Sequence, residues 1–402
     1  MQKIYEVAVV GGGAGGILSA TELVTGENSL NGEDIVILER NDRIGKKLIA
    51  TGNGQGNLSN AFISADNYYG DKKFIKAFLS GANGFTTEEY FSKLGIPFCT
   101  EKNGKQYPLS KQASAVLDIL MALLATKKVN VVTNAKIVSV SEQNGFYLLA
   151  HENGDRTYAK KVILAFGGNS AKQFGTDGTS YVLAEKLGHK KGKLYPSLVQ
   201  LKTETATIKG LKGIKEKARL NAFDGQKFLG SASGDLLFTD FGISGDTVFN
   251  LSAKLVDKKA PAVIIEFLPD YSIDYIVKIL KDRKASGYYA PDKILDGIVN
   301  KKIAKAVLSL CKTDSVTAIA ETLKNFKLKV TGNLGFNYSQ VTKGGILTDS
   351  VNPLTMKSKL ARNVYLVGEL LDVDGDCGGY NLNFAFASGV IASKSIKNSL
   401  KG

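Results

Sequence analysis

Six small residues near the start of the chain, Gly11-Gly12-Gly13-Ala14-Gly15-Gly16, separate an apolar run, Ile4 to Val10, from a stretch with helical apolar spacing, Ile17 to Val24. Gly-x-Gly-x-x-Gly between a strand and a helix is suited to a pyrophosphate. Gly11 permits the tight turn, Gly13 lets the backbone approach the phosphates, and Gly16 lets helix and strand pack closely while the helix N-terminus faces the charge. A second apolar run, Asp34 to Leu38, ends in Glu39, 23 residues after Gly16. A carboxylate there accepts both hydroxyls of an adenosine ribose. It would also repel a 2′-phosphate, so the expected ligand is FAD or NAD and not a tightly held NADP. Gly45-Lys46 resembles the end of a P-loop, but Arg40 stands where that loop needs a glycine and Lys47 where it needs a hydroxyl.

A second constellation decides between the two dinucleotides. A short apolar run, Val364 to Val367, ends in Gly368-Glu369, followed by an acidic glycine-rich turn and a helix expected from about Asn381. Glu369 can accept hydrogen bonds from a polyol, and the N–H groups of Gly379, Tyr380, Asn381 and Leu382 can donate to a carbonyl or anionic ring edge at a helix N-terminus. A flavin has both a ribityl polyol and a ring that becomes negative on reduction, whereas NAD has no such polyol. FAD is therefore the expected cofactor. The plainer alternative is a solvated turn carrying Asp372, Asp374 and Asp376.

The elements that must position these residues fill a chain of 402 residues, room for two or three domains. With 44% hydrophobic and 22% charged residues, a sizeable core is available and global disorder is excluded. The net charge of +14 is spread over lysines in ones and twos, so solvated lysine faces are expected and neither nucleic acid nor an anionic membrane is required as a partner. Cys99, Cys311 and Cys377 lie far apart and suggest a reducing, cytoplasmic compartment; the two histidines, His151 and His189, cannot make a His-rich metal site. No metal is expected. The opening apolar run is too short for a signal-peptide core, and no segment reaches the length of a membrane span.

After Glu39 comes a glycine- and asparagine-rich loop of roughly 20 residues, longer than an ordinary connection. Helical patterns follow at Lys72 to Leu79, Thr87 to Leu94 and Lys111 to Ala125, then strands at Val129 to Thr133, Lys136 to Ser141, Phe146 to His151 and Val162 to Ala165. Leu194 to about Leu268 is β-rich. Ser272 to Asn325 is lysine-rich with 3.6-residue apolar spacing, which predicts a small helical bundle. The final strand and helix return to the N-terminal sheet. The expected architecture is α/β: a discontinuous dinucleotide-binding domain, 1–192 and 336–402, an inserted β-barrel-like domain, 193–270, and an inserted helical subdomain, 271–335.

The segments GGGAGG, GKKLIATGNGQGNLSN, VILAFGGNS, LFTDFGISGD and VGELLDVDGDCGGYNLNFAFASG together resemble a family of bacterial FAD-dependent flavoproteins that includes aminoacetone oxidase family FAD-binding enzymes and 3-dehydro-bile-acid reductases. The resemblance spans essentially the whole chain. It implies a doubly wound, Rossmann-like FAD-binding domain of the glutathione-reductase type, interrupted by a β-barrel and a small helical subdomain. It also implies that Gly11, Gly13, Ala14 and Gly16 hold the pyrophosphate and Glu39 the ribose; Gly15 and Arg40 are further candidate cofactor-binding residues. Lys47, Thr51, Gly52, Asn53, Gly54, Asn57 and Gly167 would line the cofactor, and Glu369, Gly379, Asn381 and Leu382 would complete its ribityl and ring contacts. Where the family usually reads TGNGRCN and LFTHYGISGP, this chain has Gln55-Gly56, and Asp240 and Asp246 in place of a histidine and a proline.

Flavin chemistry leaves the protein to orient a substrate, supply a proton and control access to oxygen. Tyr380 and Asp240 are the candidate proton donors; Cys377 is expected to be an inert thiol and His189 to end a helix. Three functions fit. The first is an FAD enzyme that reduces an activated C=C bond of a small molecule, using NAD(P)H or another donor. The second is an oxidase of small amines such as aminoacetone that makes hydrogen peroxide. The third, of another class, is a flavin-binding protein that contacts RNA. No second Gly-x-Gly-x-x-Gly lies between residues 190 and 340, so a nicotinamide donor would visit the flavin transiently. Substrate, donor and oligomeric state are not specified.

Overall fold

The computed structural model describes residues 3–82 and 85–400. The chain divides into two units, Met1–Tyr195 with Val341–Gly402, and Pro196–Gln340, each built on its own apolar cluster. In the first, strands β1 (Ile4–Val10), β2 (Ile35–Leu38), β3 (Asn130–Val132), β4 (Ile137–Gln143), β5 (Phe146–His151), β6 (Arg156–Leu164) and β7 (Val364–Leu366) form one sheet. The order is β3-β2-β1-β6-β5-β4, and β7 pairs with β6 as well. Val7 to Val10 and Ile35 to Leu38 are buried throughout, as continuous apolar runs are when both faces of a parallel sheet are covered.

The short strands Ser59–Asn60, Tyr68–Gly70, Phe98–Thr100 and Lys105–Pro108 give no sequence signal, and that of β6 is incomplete. Arg156 to Ala159 pair antiparallel with β5, and Val162 to Leu164 pair parallel with β7. The second half is buried and reads as a strand; the first is polar and partly solvated, so periodicity alone places the strand only at Val162 to Ala165. The helix expected from Lys111 starts instead at Ala113, because Lys111 sits at φ 49°, in the left-handed region that a helix cannot include.

The second unit contains a closed barrel built from the β-rich stretch and from one strand beyond it, Phe326–Asn333, which lies in the segment 271–335 expected to be helical. Strands Leu201–Thr203, Gly242–Ser244, Lys227–Phe238, Lys215–Asp224, Pro261–Phe267 and Phe326–Asn333 close on one another in that order. The helices Ile273–Ser286, Lys301–Cys311 and Val316–Lys324 place Ile276, Leu280, Val307 and Leu323 in the same apolar cluster as the barrel's Leu220, Ile265 and Phe326. Their lysines face solvent, with one exception. Lys324 is buried and donates to Glu266 Oε1 at 3.0 Å and to the Leu268 carbonyl at 2.7 Å.

Two helices define how the first unit holds its site, α1 (Ala14–Val24) and α2 (Tyr380–Ser399). A Cβ on Gly389 would lie 2.6 Å from the Gly15 carbonyl oxygen. Ser393 Oγ donates to the Ser19 carbonyl at 2.8 Å, and Lys397 Nζ to Glu22 Oε1 at 2.6 Å. The offset between partners stays at 374 or 375 residues, so the helices run parallel and side by side, with small residues at the close approach. By that offset Ala14 lies level with Ser388, and α2 begins eight residues further forward, about 12 Å along the axis at 1.5 Å per residue.

His189 lies just past the helix Tyr181–Lys186, but it is a buried structural group. Ser358 Oγ accepts from Leu360 N and Ala361 N, so its own hydrogen goes to His189 Nε2 at 2.9 Å. Nδ1 then carries the imidazole proton and donates to Ser350 Oγ at 2.8 Å. Burial lowers the His189 pKa, with Asp349 opposing, and burial likewise lowers that of His151, with Asp155 opposing. In each case the unfolded chain binds a proton that the folded chain refuses. Stability is therefore expected to be flat above about pH 7.5 and to fall as pH drops below the unfolded histidine value near 6.5, by up to about 1.4 kcal/mol per pH unit per histidine. Urea midpoints between pH 8 and pH 5.5 check this; His189→Gln should flatten the slope, and an unchanged slope would remove His189 as its source.

Candidate functional site

The glycine turn after β1 has the geometry its spacing implies. Gly11 adopts φ +109°, and a Cβ on Gly16 would lie 1.9 Å from the Gly11 carbonyl oxygen, so helix and strand meet only because residue 16 has no side chain. A Cβ on Gly13 would meet nothing within 4 Å, which leaves the backbone open above the turn. No side chain caps the N-terminus of α1; the leading N–H groups of Ala14, Gly15 and Gly16 are available to an anion. Glu39 is buried at the end of β2 and rigidly held. Its Oε2 accepts from Gly12 N at 2.7 Å, and its Oε1 accepts from Asn41 N at 2.8 Å and Asn41 Nδ2 at 2.6 Å.

The loop after Glu39 folds back onto this turn. Gly45 N donates to the Gly12 carbonyl at 2.8 Å, and Lys47 Nζ reaches Glu369 Oε2 at 2.6 Å. The other carboxylate oxygen of Glu369 accepts from Thr342 N at 2.9 Å. Thr51 Oγ1 is used locally, donating to the Leu48 carbonyl. Gly52 and Asn53 are both left-handed and Gly54 is open, with no atom within 4 Å of a built Cβ, so this stretch presents backbone. Asn57 is the notable side chain. It is 9% exposed, yet neither its Oδ1 nor its Nδ2 has a hydrogen-bond partner among the described residues.

Asn57 lies against the start of α2. A Cβ on Gly379 would fall 2.6 Å from Asn57 Oδ1 and 2.2 Å from the Ser59 carbonyl oxygen, and Gly379 sits at φ +99°. No side chain caps this helix N-terminus either. The Asn381 side chain is spent on the preceding turn, exchanging hydrogen bonds with Gly375 N and O at 2.8 Å each, so only its backbone is free to face a ligand. Leu382 packs against the core. Tyr380 is 7% exposed and sits edge-on to Tyr68, ring centroids 6.1 Å apart; burial, and then Asp376, hold its phenol above the ordinary value, in the protonated form.

Two expected site residues have other partners. Arg40 forms a two-pronged ion pair with Asp177, at 2.7 and 3.0 Å, in place of a guanidinium free for the cofactor. Asp240 lies on the surface of the second unit, its carboxylate 62% exposed and paired with Lys212 at 2.9 Å. The Lys212 hydrogen bond holds its carboxyl below the usual range, so it is ionised at neutral pH. Gly167, at φ 77°, begins the turn after β6, and Gly168 packs against Glu369 and Thr342.

Several residues gave no sequence signal. Thr342 Oγ1 accepts from Asn169 N at 2.8 Å and meets Ser170 Oγ at 2.9 Å, joining the Gly167 turn to Glu369. A polar cleft of about 570 Å³ opens beside Glu39, at the carboxyl ends of β2 and β3, lined by Arg40, Asn41, Asn134, Lys136, Lys172 and Asp177 among others. In open α/β sheets ligands bind at such strand ends. Among the described residues no group of His, Cys, Asp and Glu is arranged to hold a metal ion, no disulfide joins the three cysteines, and no helix is long and apolar enough to cross a membrane.

These features fit FAD on their own terms. Two uncapped helix N-termini point the same way about 12 Å apart along the axis, one beside the glycine turn and the buried Glu39 carboxylate, the other beside an unpaired buried amide. That arrangement defines an FAD-dependent oxidoreductase of the Rossmann-like class. Residues 5–395 match the HI0933-like protein Rossmann domain, and the chain belongs to that family. It is 35% identical to the 3-dehydro-bile acid delta(4,6)-reductase of Clostridium scindens, over 97% of this chain and 98% of that protein. It is 23% identical to the ribosomal RNA dihydrouridine synthase of Haemophilus influenzae, over 98% and 99%. Among solved structures, a 3-ketosteroid-delta4-(5alpha)-dehydrogenase from Rhodococcus jostii shares the fold, with a TM-score of 0.51 at 14% identity, covering 99% of this chain and 98% of that one.

Proposed function

We propose that the protein reduces a C=C bond activated by a neighbouring carbonyl in a small organic molecule, by hydride transfer from reduced FAD. The observation that carries this reading is the 35% identity, across nearly both full lengths, to a protein named for reducing the 4,6 double bonds of a 3-dehydro bile acid. The dihydrouridine synthases, more distant, are also named for a product with a saturated C=C bond. In this site α1 and the Gly11–Gly16 turn would bind the pyrophosphate and Glu39 the ribose; Lys47 and Glu369 would hold the ribityl hydroxyls. Asn57 and the first N–H groups of α2 would pair with the carbonyl and imide edge of the ring, where the helix dipole favours negative charge. Bound FAD supplies the hydride chemistry. Tyr380, buried and protonated, is the proton donor we favour over the ionised Asp240. Binding is expected to be noncovalent, with NADH or NADPH as a visiting donor, in the cytoplasm.

The test begins with the purified protein, which should be yellow and release FAD on acid precipitation. Anaerobic reduction by NADH and NADPH, then reoxidation by a panel of steroid and simpler enones, should be faster than reoxidation by dioxygen. Rapid reduction by aminoacetone with peroxide release would replace this reading by the amine oxidase. Tyr380→Phe and Asp240→Asn, compared at saturating FAD, show which candidate donor carries turnover. RNA as substrate or partner is the second reading, favoured by the +14 charge and by solvent-facing Lys278, Lys281, Lys301, Lys302 and Lys305, which make no ion pair among the described residues. Salt-sensitive binding of a ribosomal RNA fragment, with uridine-dependent flavin reoxidation, would establish it.

A further inference from the structure

The segment Gly167–Thr179, which leaves the end of β6, is fastened at both ends to residues of the cofactor site. Near its start Asn169 and Ser170 are held by Thr342, the residue whose N–H holds Glu369. Its middle is closed internally, Thr176 Oγ1 donating to the Ser170 carbonyl at 2.8 Å. At its far end three contacts meet the residues that follow Glu39. Asp177 grips both terminal nitrogens of Arg40, Asn41 Nδ2 donates to the Phe174 carbonyl at 3.2 Å, and Gly175 lies so close to Asn41 that a Cβ would come within 2.1 Å of its Oδ1. Asn41 in turn fixes Glu39 Oε1. The segment thus runs from the residues expected at the ribityl chain to those expected at the adenosine ribose, and Asp177 borders the cleft beside Glu39.

We infer that the Arg40–Asp177 ion pair is a latch that fastens this segment across the adenosine end of FAD, with Asp177 a positioning residue that acts through Arg40 and Asn41 on the grip of Glu39; the inference rests on the FAD reading above. The pair is made of fixed charges in a forked geometry, and both side chains keep partial exposure, 25% and 35%, so salt weakens it. Burial opposes ionisation of Asp177, but hydrogen bonds from Arg40 and Thr179 outweigh it and hold the carboxyl well below its usual range. The latch is therefore closed at any pH at which the protein is folded near neutrality, and its control is ionic strength. Sequestering the adenosine end slows cofactor loss and leaves the ring edge to Asn57 and α2.

The experiment measures FAD release from the loaded protein by the rise in flavin fluorescence on dilution, together with amide hydrogen exchange over residues 169–179 in the FAD-free protein. Asp177→Asn should release FAD about tenfold faster at low salt, with faster exchange in the segment. Raising salt from about 50 mM to about 500 mM should accelerate release from the wild type and from Asp177→Glu, which keeps the charge, but hardly from Asp177→Asn. Wild-type release and exchange in Asp177→Asn would overturn the latch while leaving the FAD reading intact. A wild-type protein that binds no FAD would overturn both.

Discussion

Replacing Lys397 with methionine is expected to cost the first unit about 3–5 kcal/mol of folding stability, the range for breaking a buried ion pair by removing one partner. The ammonium is 5% exposed and donates to Glu22 Oε1 at 2.6 Å, to the Glu22 carbonyl at 2.9 Å and to the Thr25 carbonyl at 2.9 Å. It neutralises a carboxylate that is itself 9% exposed and satisfies carbonyls at the C-terminal end of α1, where a cation is favoured. Methionine fills much of the space and removes all three hydrogen bonds. Glu22→Gln leaves the ammonium without its counter-charge but with the amide oxygen and both carbonyls as acceptors, so it should cost less, about 1.5–3 kcal/mol. Denaturant titration of the two variants measures the asymmetry. Equal costs would mean that charge neutralisation, not the capping of α1, dominates.

Asn57→Leu is expected to move two quantities in opposite directions. A buried amide with neither atom paired costs about 1–3 kcal/mol, so the FAD-free variant should be more stable than the FAD-free wild type by roughly that amount. FAD affinity should fall about ten- to a hundredfold, since the bound ring edge then loses its donor and acceptor. Thermal unfolding of stripped protein and fluorescence titration with FAD measure the two separately. A variant that loses stability without the cofactor would show that Asn57 is a structural residue of the loop. One that keeps wild-type affinity would show that the amide faces something other than the flavin.

The sequence made some of this site legible because its signals are local. The glycine turn and Glu39 fall within one strand-helix-strand unit, where spacing alone dictates geometry, and the β-rich stretch marks all of the barrel except its last strand, Phe326–Asn333, which follows the lysine-rich helices. Lys47 and Glu369 could each be placed at a flavin by motif, but their ion pair joins residues 322 positions apart, and no periodicity encodes it. Asp177 and Thr342 belong to no recognisable pattern; their roles exist only once β6 and the returning chain lie side by side. Arg40 and Asn381 stand where site residues were expected, yet their side chains are used by neighbours that local reasoning does not see. His189 does follow a helix end, but its burial between two serines depends on residues more than 160 positions away.

The in-register pairing of α1 with α2 also orders events during synthesis. The turn that would bind the phosphates leaves the ribosome well before the helix that supports it and supplies the second N-terminus, which is made some 370 residues later, after the entire second unit. Until then the face of α1 that carries Gly15, Ser19 and Glu22 lacks α2, although other parts of the helix pack on β1, β2 and the helix Ala113–Thr126. The second unit, continuous from Pro196 to Gln340, meets no such delay. A cofactor that needs both helix N-termini would therefore have to wait until α2 has been made, so the two halves of its site are joined only after the second unit has been synthesised.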